Sequence, residues 1–421
     1  MSMRMTNVPL RRVAQIINGG TPGKSDEFWG GKIPWATPVD LGKANGKFLD
    51  KTGRYITVAG LKDGSSLAPA NSVLISSRAP IGYVAVNLIP MAFNQGCKAI
   101  ISRSSSTDVR FLKYSLQSKT AVLQAAGQGS TFLEVSSNHV ASLSVPWSHP
   151  GQQQQIADYL DHETAEIDAF VEDQHKILHL VSERRWSAID RAIEQGKERV
   201  PLRRLAKYLT SGSRNWSSLR SESGDPFVRI TNISRNHVRI LSEDMKFVAG
   251  VEDAEGARAK IQMGDILMSI TADLGSVALA DESIAGGYTS QHVCLIRPNN
   301  HLADPKYVAY ALLSSKVKAQ IAEKSYGGTK IQLSLEDVRE LEIPLPPLQE
   351  QRKVAQQCED FVTTTEGLSS ELQRIIALSR ERRAALITAA VTGQIDVTAK
   401  NRPAAEQLED DIAQGLHREY A

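Results

Sequence analysis

The chain has 421 residues, which is enough for two or three domains of ordinary size. Hydrophobic residues form 41% and charged residues 23% of it, and these proportions exclude a disordered, collagen-like or membrane-embedded chain. The formal charge of +2 is unevenly distributed: residues 1–150 carry +9, residues 151–199 carry −5, residues 200–346 carry +1 and residues 347–421 carry −3. The charge of the first segment favours a polyanionic partner, although a solvated basic surface explains it equally well.

The cysteines indicate the cellular compartment. Cys97, Cys294 and Cys358 lie far apart, are too few for a disulfide framework and lack the spacing of metal ligands. We therefore expect buried thiols in a reducing cytoplasm. The sequence has no apolar run of the roughly 20 residues that a membrane helix needs, and its first ten residues do not form a signal-peptide core.

A long-period tandem repeat organises the chain. Residues 8–14 (VPLRRVA) recur as residues 200–206 (VPLRRLA), and residues 73–76 (VLIS) recur as residues 266–269 (ILMS). Further matches follow in the same order at a slowly drifting offset, as small loop insertions would produce. The sequence therefore predicts two similar halves.

Each half begins with a part rich in glycine, proline and serine that contains short β-branched runs. Such runs, bounded by turn residues, predict strands, and a short helix follows them in each copy. The lack of a regular strand–helix alternation favours a mixed α+β domain. The predicted strands cover residues 72–77, 84–86, 266–270 and 293–296, and the predicted helices cover residues 109–126 and 305–324.

A long helix follows a proline stop in each half. Its apolar residues recur at alternating spacings of four and three, a heptad pattern that predicts a coiled-coil seam. The partner of each seam is most simply the other copy's helix, in a rod of roughly 48 Å. The predicted seam residues are Ile156, Leu160, Ile167, Phe170, Ile177, Val181 and Ala188 in the first helix, and Val354, Cys358, Phe361, Thr365, Leu368, Leu372, Ile375 and Leu386 in the second.

Several motifs carry a family resemblance through their order and duplication. They are GGTP at 19–22, IPW at 33–35, LISSRAPIG at 74–82, FNQGC at 93–97, GSTF at 129–132, QQQQIADYLD at 152–161, IPLPPLQEQ at 343–351 and RRAALITAAVTGQIDV at 382–397. Over residues 8–397 the chain resembles the specificity subunit of type I restriction–modification enzymes.

The resemblance implies an α+β fold with two tandem mixed α/β target recognition domains. Each is followed by a long helix, and the two helices pair as an antiparallel coiled coil. The expected segments are residues 1–150 (first recognition domain), 151–199 (first helical spacer), 200–346 (second recognition domain), 347–397 (second helical spacer) and 398–421 (C-terminal tail).

The resemblance also implies a function and a set of partners. Each recognition domain would read one half of a bipartite double-stranded DNA site. The helices would set the half-site spacing and dock two modification (methyltransferase) subunits, and two restriction subunits could join the complex. The modification subunits would use S-adenosylmethionine, and restriction subunits would use ATP with Mg²⁺.

Base readout guides the choice of candidate DNA contacts, because Arg or Lys pairs with guanine and Asn or Gln with adenine. The best candidates lie in glycine-rich or loop-like stretches, where each could instead be a solvated or turn-stabilising residue. In the first domain they are Thr21, Lys24, Lys43, Arg78, Asn94, Gln95, Gln128, Ser130 and Thr131. In the second they are Ser213, Arg214, Arg229, Thr231, Asn232, Thr271, Ser290, Gln291, Thr329 and Lys330.

Signatures of catalysis are missing from the sequence. It has no GxxxxGK[ST] phosphate loop, and its nine histidines form no metal-binding pattern. We therefore predict no catalytic, cofactor-binding or metal-binding residues in this chain. The alternatives are the specificity subunit of a methylation-only system, a coiled-coil scaffold that binds protein, and a self-contained methyltransferase or nuclease.

Overall fold

A computed structural model describes residues 5–127, 134–194, 198–212, 216–249, 254–325 and 332–397. The chain divides into two compact units. Unit 1 comprises Met1–Asp173 and Ile375–Ala421, and unit 2 comprises Gln174–Arg374. Both divisions fall inside long helices, so each long helix contributes one part to each unit.

The elements of unit 1 are mostly short. Its strands are β1 (Thr6–Pro9), β2 (Ala14–Asn18), β3 (Trp29–Ala36), β4 (Phe48–Leu49), β5 (Tyr55–Ile56), β6 (Ser66–Ala68), β7 (Ser72–Ser76), β8 (Val84–Asn87), β9 (Met91–Phe93), β10 (Cys97–Ser102) and β11 (Ser144–Trp147). Its helices are α1 (Leu10–Val13), α2 (Pro38–Lys43), α3 (Val58–Gly64), α4 (Val109–Gln117), α5 (Thr120–Gly127), α6 (Ser137–Ser142) and the first part of α7 (Pro150–Ile193).

Unit 2 has a similar set of elements. Its strands are β12 (Arg199–Pro201), β13 (Ala206–Ser211), β14 (Arg220–Ser221), β15 (Asp225–Val228), β16 (Lys246–Val248), β17 (Ile266–Ser269), β18 (Val277–Leu279), β19 (Tyr288–Thr289), β20 (Val293–Pro298) and β21 (Glu342–Pro344). Its helices are α8 (Ala254–Ala259), α9 (Pro305–Leu313), α10 (Ser315–Ser325), α11 (Leu335–Arg339), the last part of α7 and the first part of α12 (Leu348–Thr392). The last part of α12 belongs to unit 1.

The sheets confirm the predicted repeat. The order β2-β10-β7-β8 in unit 1 matches β13-β20-β17-β18 in unit 2, and β4 extends the first of these sheets. Each unit has a second four-stranded sheet with one parallel pair, β3 with β9 and β15 with β19. An antiparallel pair, β1–β11 or β12–β21, completes each unit. The mixed α+β class predicted for both halves is therefore confirmed.

The central strand of each main sheet is buried along its whole length because its two faces meet different cores. In β7, Val73 and Ile75 pack in a cluster with Leu112 of α4, whereas Leu74 packs in another cluster with Phe93. Successive strand side chains point to opposite faces, so an uninterrupted apolar run suits a strand that is covered on both sides. Strand β17 repeats this division between two clusters.

The predicted helices after the sheets are each divided in two. Residues 109–126 form α4 and α5, and residues 305–324 form α9 and most of α10. The second break has a clear cause: Ser314 adopts an extended backbone after α9, and its hydroxyl accepts a hydrogen bond from the Val317 amide at the start of α10. Serine at such a position favours helix initiation over continuation.

The long helices pair antiparallel within each unit, as predicted. In unit 1, Ile156 and Leu160 near the start of α7 share a core cluster with Ile387 and Val391 near the end of α12. Further along α7, Asp168 accepts a 2.9 Å hydrogen bond from Arg383 Nε, so one helix advances as the other recedes. In unit 2, the end of α7 and the start of α12 share another cluster, which includes Ile189, Ala192, Val354 and Cys358.

The predicted seam is wrong at four positions. Phe170 and Ile177 are 48% and 40% exposed, and Phe361 and Leu368 are 45% and 47% exposed. Polar side chains occupy buried positions of α7 instead: Thr164, Gln174 and Arg185. Thr164 is tolerated there because its hydroxyl donates to the Leu160 carbonyl at 2.6 Å.

Two further features of the described residues bear on the predictions. The three cysteines are free and buried, as expected. Among the described residues, no helix combines the length and the apolar character needed to cross a membrane.

The corrected seam predicts unequal effects for two helix substitutions. Leu160→Ala removes a fully buried side chain and should lower the free energy of unfolding by about 2–5 kcal/mol. Phe170→Ala removes an exposed side chain and should lower it by less than about 1 kcal/mol. Urea unfolding of the full chain measures both, and a loss for Phe170→Ala as large as that for Leu160→Ala would contradict the observed seam.

Candidate nucleic-acid interface

A polar recess of about 450 Å³ lies in unit 1 where several strand ends meet. Its lining residues are Asn18, Gly19, Arg78, Gln95, Lys98, Glu134, Ser136 and Ser137, and we call it the unit 1 recess. Asn18 ends β2 and pairs with Lys98 in β10. Arg78 follows β7 and forms an antiparallel bridge with Glu134. The two strand pairings therefore fix where these side chains begin.

Gly19 allows β2 to end close against the turn before β10. A Cβ atom at this position would lie 2.0 Å from the carbonyl oxygen of Asn94, so only glycine permits the approach. In the same turn the Asn94 side-chain oxygen accepts a 3.0 Å hydrogen bond from the Gly96 amide. Asn94 is thereby committed to the turn, whereas Gln95 is exposed and lines the recess.

Three of the side chains that line the recess are charged. Arg78 Nε donates to Glu134 Oε2 at 2.8 Å, and the other Glu134 oxygen lies 3.8 Å from Lys98 Nζ. Lys98 Nζ also donates to Asn18 Oδ1 at 3.0 Å. Burial of Lys98 lowers its pKa, and the nearby Glu134 carboxylate opposes that shift. Two cations and one carboxylate give these three side chains a formal charge of +1, which suits a polyanion.

The side chain of Gln95 is held by a hydrogen bond. Its side-chain oxygen accepts a hydrogen bond from the Thr21 hydroxyl, so two predicted contact residues meet. This bond uses the amide oxygen, and the amide NH₂ group makes no hydrogen bond to a residue that the structure describes. An exposed glutamine with a fixed side chain is suited to reading a base edge.

Unit 2 places a neutral set of side chains at the equivalent strand ends. Thr271 forms an antiparallel bridge with Gln332, as Arg78 does with Glu134. Thr271 Oγ1 lies 2.8 Å from His292 Nδ1, and His292 Nε2 lies 3.0 Å from Gln291 Nε2. Because an amide NH₂ only donates, His292 Nε2 accepts and its ring proton belongs on Nδ1. The chain of hydrogen bonds thus orients Gln291.

Two predicted contact residues of unit 2 hold a loop together, and a third is buried. Asn232 is fully buried, and its side chain donates to the carbonyls of Leu241 and Glu243. The guanidinium of Arg229 is bound by the Asp244 carbonyl and carboxylate, which closes the same loop. Ser290 is buried. We therefore correct the assignments of Asn232 and Ser290, since a buried side chain is not available to DNA, whereas Arg229 stays a prediction.

The remaining predicted residues lie apart from the recess or outside the described part of the chain. Lys24, Lys43 and Thr231 are exposed, and none of them lines the unit 1 recess. The predictions that fall outside the described residues are Gln128, Ser130, Thr131, Ser213, Arg214, Thr329 and Lys330.

Sequence reasoning missed several polar side chains at these strand ends. Lys98 had a usable signal, because a lysine inside the apolar strand CKAII needs a partner if it is buried. Glu134, His292 and Gln332 had none, since only the tertiary fold brings them beside Arg78 and Thr271. Within the described residues, no group of three or more His, Cys, Asp or Glu side chains could hold a metal ion.

Comparison with known proteins identifies the class to which this duplicated fold belongs. Residues 4–175 and 196–375 both match the family described as the type I restriction modification DNA specificity domain. The chain also superposes on a solved chain described as "Structural basis underlying complex assembly and conformational transition of the type I R-M system". That match has a TM-score of 0.70 at 15% identity, and it covers 93% of this chain and 98% of the other. At that identity the likeness concerns the fold.

The two family matches span most of the sequence, and the chain belongs to the specificity subunits of type I restriction–modification systems. It is 33% identical over 171 residues to the MjaIX specificity subunit of Methanocaldococcus jannaschii, covering 40% of this chain and 38% of that relative. It is 32% identical over 161 residues to the EcoR124I/EcoR124II subunit of Escherichia coli, covering 36% and 39%. A 19% match to the Escherichia coli EcoBI subunit covers 93% and 81%.

Proposed function

We propose that the chain selects DNA for a type I restriction–modification complex without catalysing a reaction itself. Each unit would read one half of a bipartite double-stranded site. The observation that carries this proposal is the pair of equivalent strand-end positions occupied by Arg78 and Glu134 in unit 1 and by Thr271 and Gln332 in unit 2. A repeated fold with different polar groups at one position suits two domains that read different bases.

The paired long helices would set the separation of the two half-sites. Each helix takes part in the core of both units: Leu160 and Ile189 of α7 lie in different clusters, as do Val354 and Ile387 of α12. A helix rises about 1.5 Å per residue, so its length fixes a distance. Two-fold DNA-binding proteins likewise convert a protein spacing into a half-site spacing.

The same helices would dock two modification subunits through their exposed apolar side chains. Soluble surfaces rarely concentrate large apolar residues unless a partner covers them. The residues concerned are Phe170, Ile177, Leu180, Phe361, Leu368 and Leu378. We further propose that two restriction subunits join the complex. In that complex the partners, rather than this chain, would use S-adenosylmethionine and ATP with Mg²⁺.

Matched heptad insertions test the spacing role. Seven residues added after Asp173 and seven after Arg374 would lengthen both helices by about 10 Å, close to 3 base pairs of DNA. Sequencing of methylated motifs in cells that express the complex should show a longer spacer and unchanged half-sites. An unchanged spacer with altered half-site bases would contradict the role. Insertion into one helix alone serves as the control and should disrupt helix pairing.

Charge placed on the exposed apolar positions tests docking. Phe170→Asp combined with Leu368→Asp should weaken binding of the modification subunit at least about tenfold, because it puts carboxylates into an apolar interface. Calorimetric titration of the subunit into the full chain measures this loss, with the exposed Glu166→Gln as the control. Equal affinity of both variants for the modification subunit would show that these residues are not the docking face.

A further inference from the structure

The guanidinium of Arg78 is hydrogen-bonded along one edge, and its other edge is available to a ligand. Its Nε donates to Glu134 Oε2 at 2.8 Å, and the backbones of the two residues form a strand bridge. Its two terminal nitrogens, Nη1 and Nη2, make no hydrogen bond to the residues that the structure describes, and the side chain is 47% exposed. The hydrogen bond and the strand bridge together restrain the guanidinium group.

Glu134 in turn lies against a buried cation. Lys98 Nζ lies 3.8 Å from its second oxygen and is anchored by the Asn18 side chain at 3.0 Å. The Lys98 side chain is only 4% exposed, so this cation does not reach a ligand directly. The polar chain therefore runs from a buried anchor to an exposed arginine. Such preorganisation reduces the ordering that binding would otherwise require.

The open edge of Arg78 has a definite chemical complement. Two parallel N–H donors match the O6 and N7 acceptors that guanine presents in the major groove, whereas adenine offers a donor at one of these places. A phosphate also accepts such a fork, but a phosphate contact carries no base preference. We infer that Arg78 reads a guanine in the half-site bound by unit 1 and that Glu134, held by Lys98, is its positioning residue.

This inference rests on the proposed function. It adds the identity of one DNA base that unit 1 reads and the way in which Arg78 is positioned to read it. At the equivalent positions, unit 2 has none of these three charged side chains. Thr271 and Gln332 replace the ion pair, and Cys294 occupies the strand position that Lys98 occupies in β10. Cys294 is fully buried and carries no charge. The Arg78, Glu134 and Lys98 combination is therefore not repeated at the equivalent described positions of unit 2.

Base-by-base competition tests the inference on the full chain. The probe is a DNA duplex that contains the motif methylated in cells that express the complex. Each competitor duplex differs from the probe at one base pair. Arg78→Ala should reduce discrimination about 5- to 100-fold at one guanine of the first half-site and leave the second half-site unchanged. Arg78→Lys should keep overall affinity and lose part of that discrimination, since an ammonium lacks the planar fork.

Glu134→Gln separates positioning from structural support. It keeps the size of the side chain and should reduce discrimination at the same guanine by less than Arg78→Ala does, with no change at other positions. Arg12→Ala, at an exposed arginine outside the recess, is the matched control and should leave the preference intact.

Other outcomes overturn the inference or the function beneath it. If Arg78→Ala weakened binding equally for all DNA sequences, Arg78 would contact a phosphate and not a base. Loss of discrimination at an A·T base pair would also contradict the inference. Relaxation at several positions by Glu134→Gln would show general disruption. Absence of any sequence preference in the unaltered chain would contradict the proposed function itself.

Discussion

Each unit is completed by a helix segment from the other half of the sequence, and the rest of the architecture depends on this exchange. In unit 1, Phe111, Tyr114 and Ile156 from the first half bury their side chains against Ile387 and Val391 near the end of α12. A helix stripe that is apolar on one side must be covered to be stable, and the first half alone provides no such cover. This cluster of unit 1 therefore depends on both halves of the sequence.

A tyrosine–carboxylate hydrogen bond within each half of the sequence recurs with the same chemistry. The Tyr114 hydroxyl donates to Asp161 at 2.6 Å, and the Tyr310 hydroxyl donates to Glu359 at 2.8 Å. A neighbouring pair has diverged. Arg383 binds Asp168 in unit 1, whereas Arg185 of unit 2 donates to the Asn236 carbonyl. The scaffold is thus repeated more faithfully than its charged groups, and the strand-end residues follow the same rule.

The sequence predicts the repeat and the central strands well, because short apolar runs rich in β-branched residues, such as residues 73–76, seldom form anything other than a strand. It predicts the helix seam less well. Phe170 is exposed and Gln174 is buried, since heptad spacing does not tell which face the partner covers. The candidate DNA contacts divide for a related reason. Gln95 and Asn232 look alike in a loop sequence, yet one lines an open recess and the other is sealed inside its loop.

The central claim is that the two units read separate half-sites. Exchange of residues 8–145 for the equivalent segment of another member of the family tests it most directly, because both long helices and the whole globular part of unit 2 stay unchanged. The measurement is the methylated DNA motif in cells that express the chimera with its partner subunits. We predict that one half-site changes while the other half-site and the spacer stay the same. Changes in both half-sites, or in neither, would contradict the account.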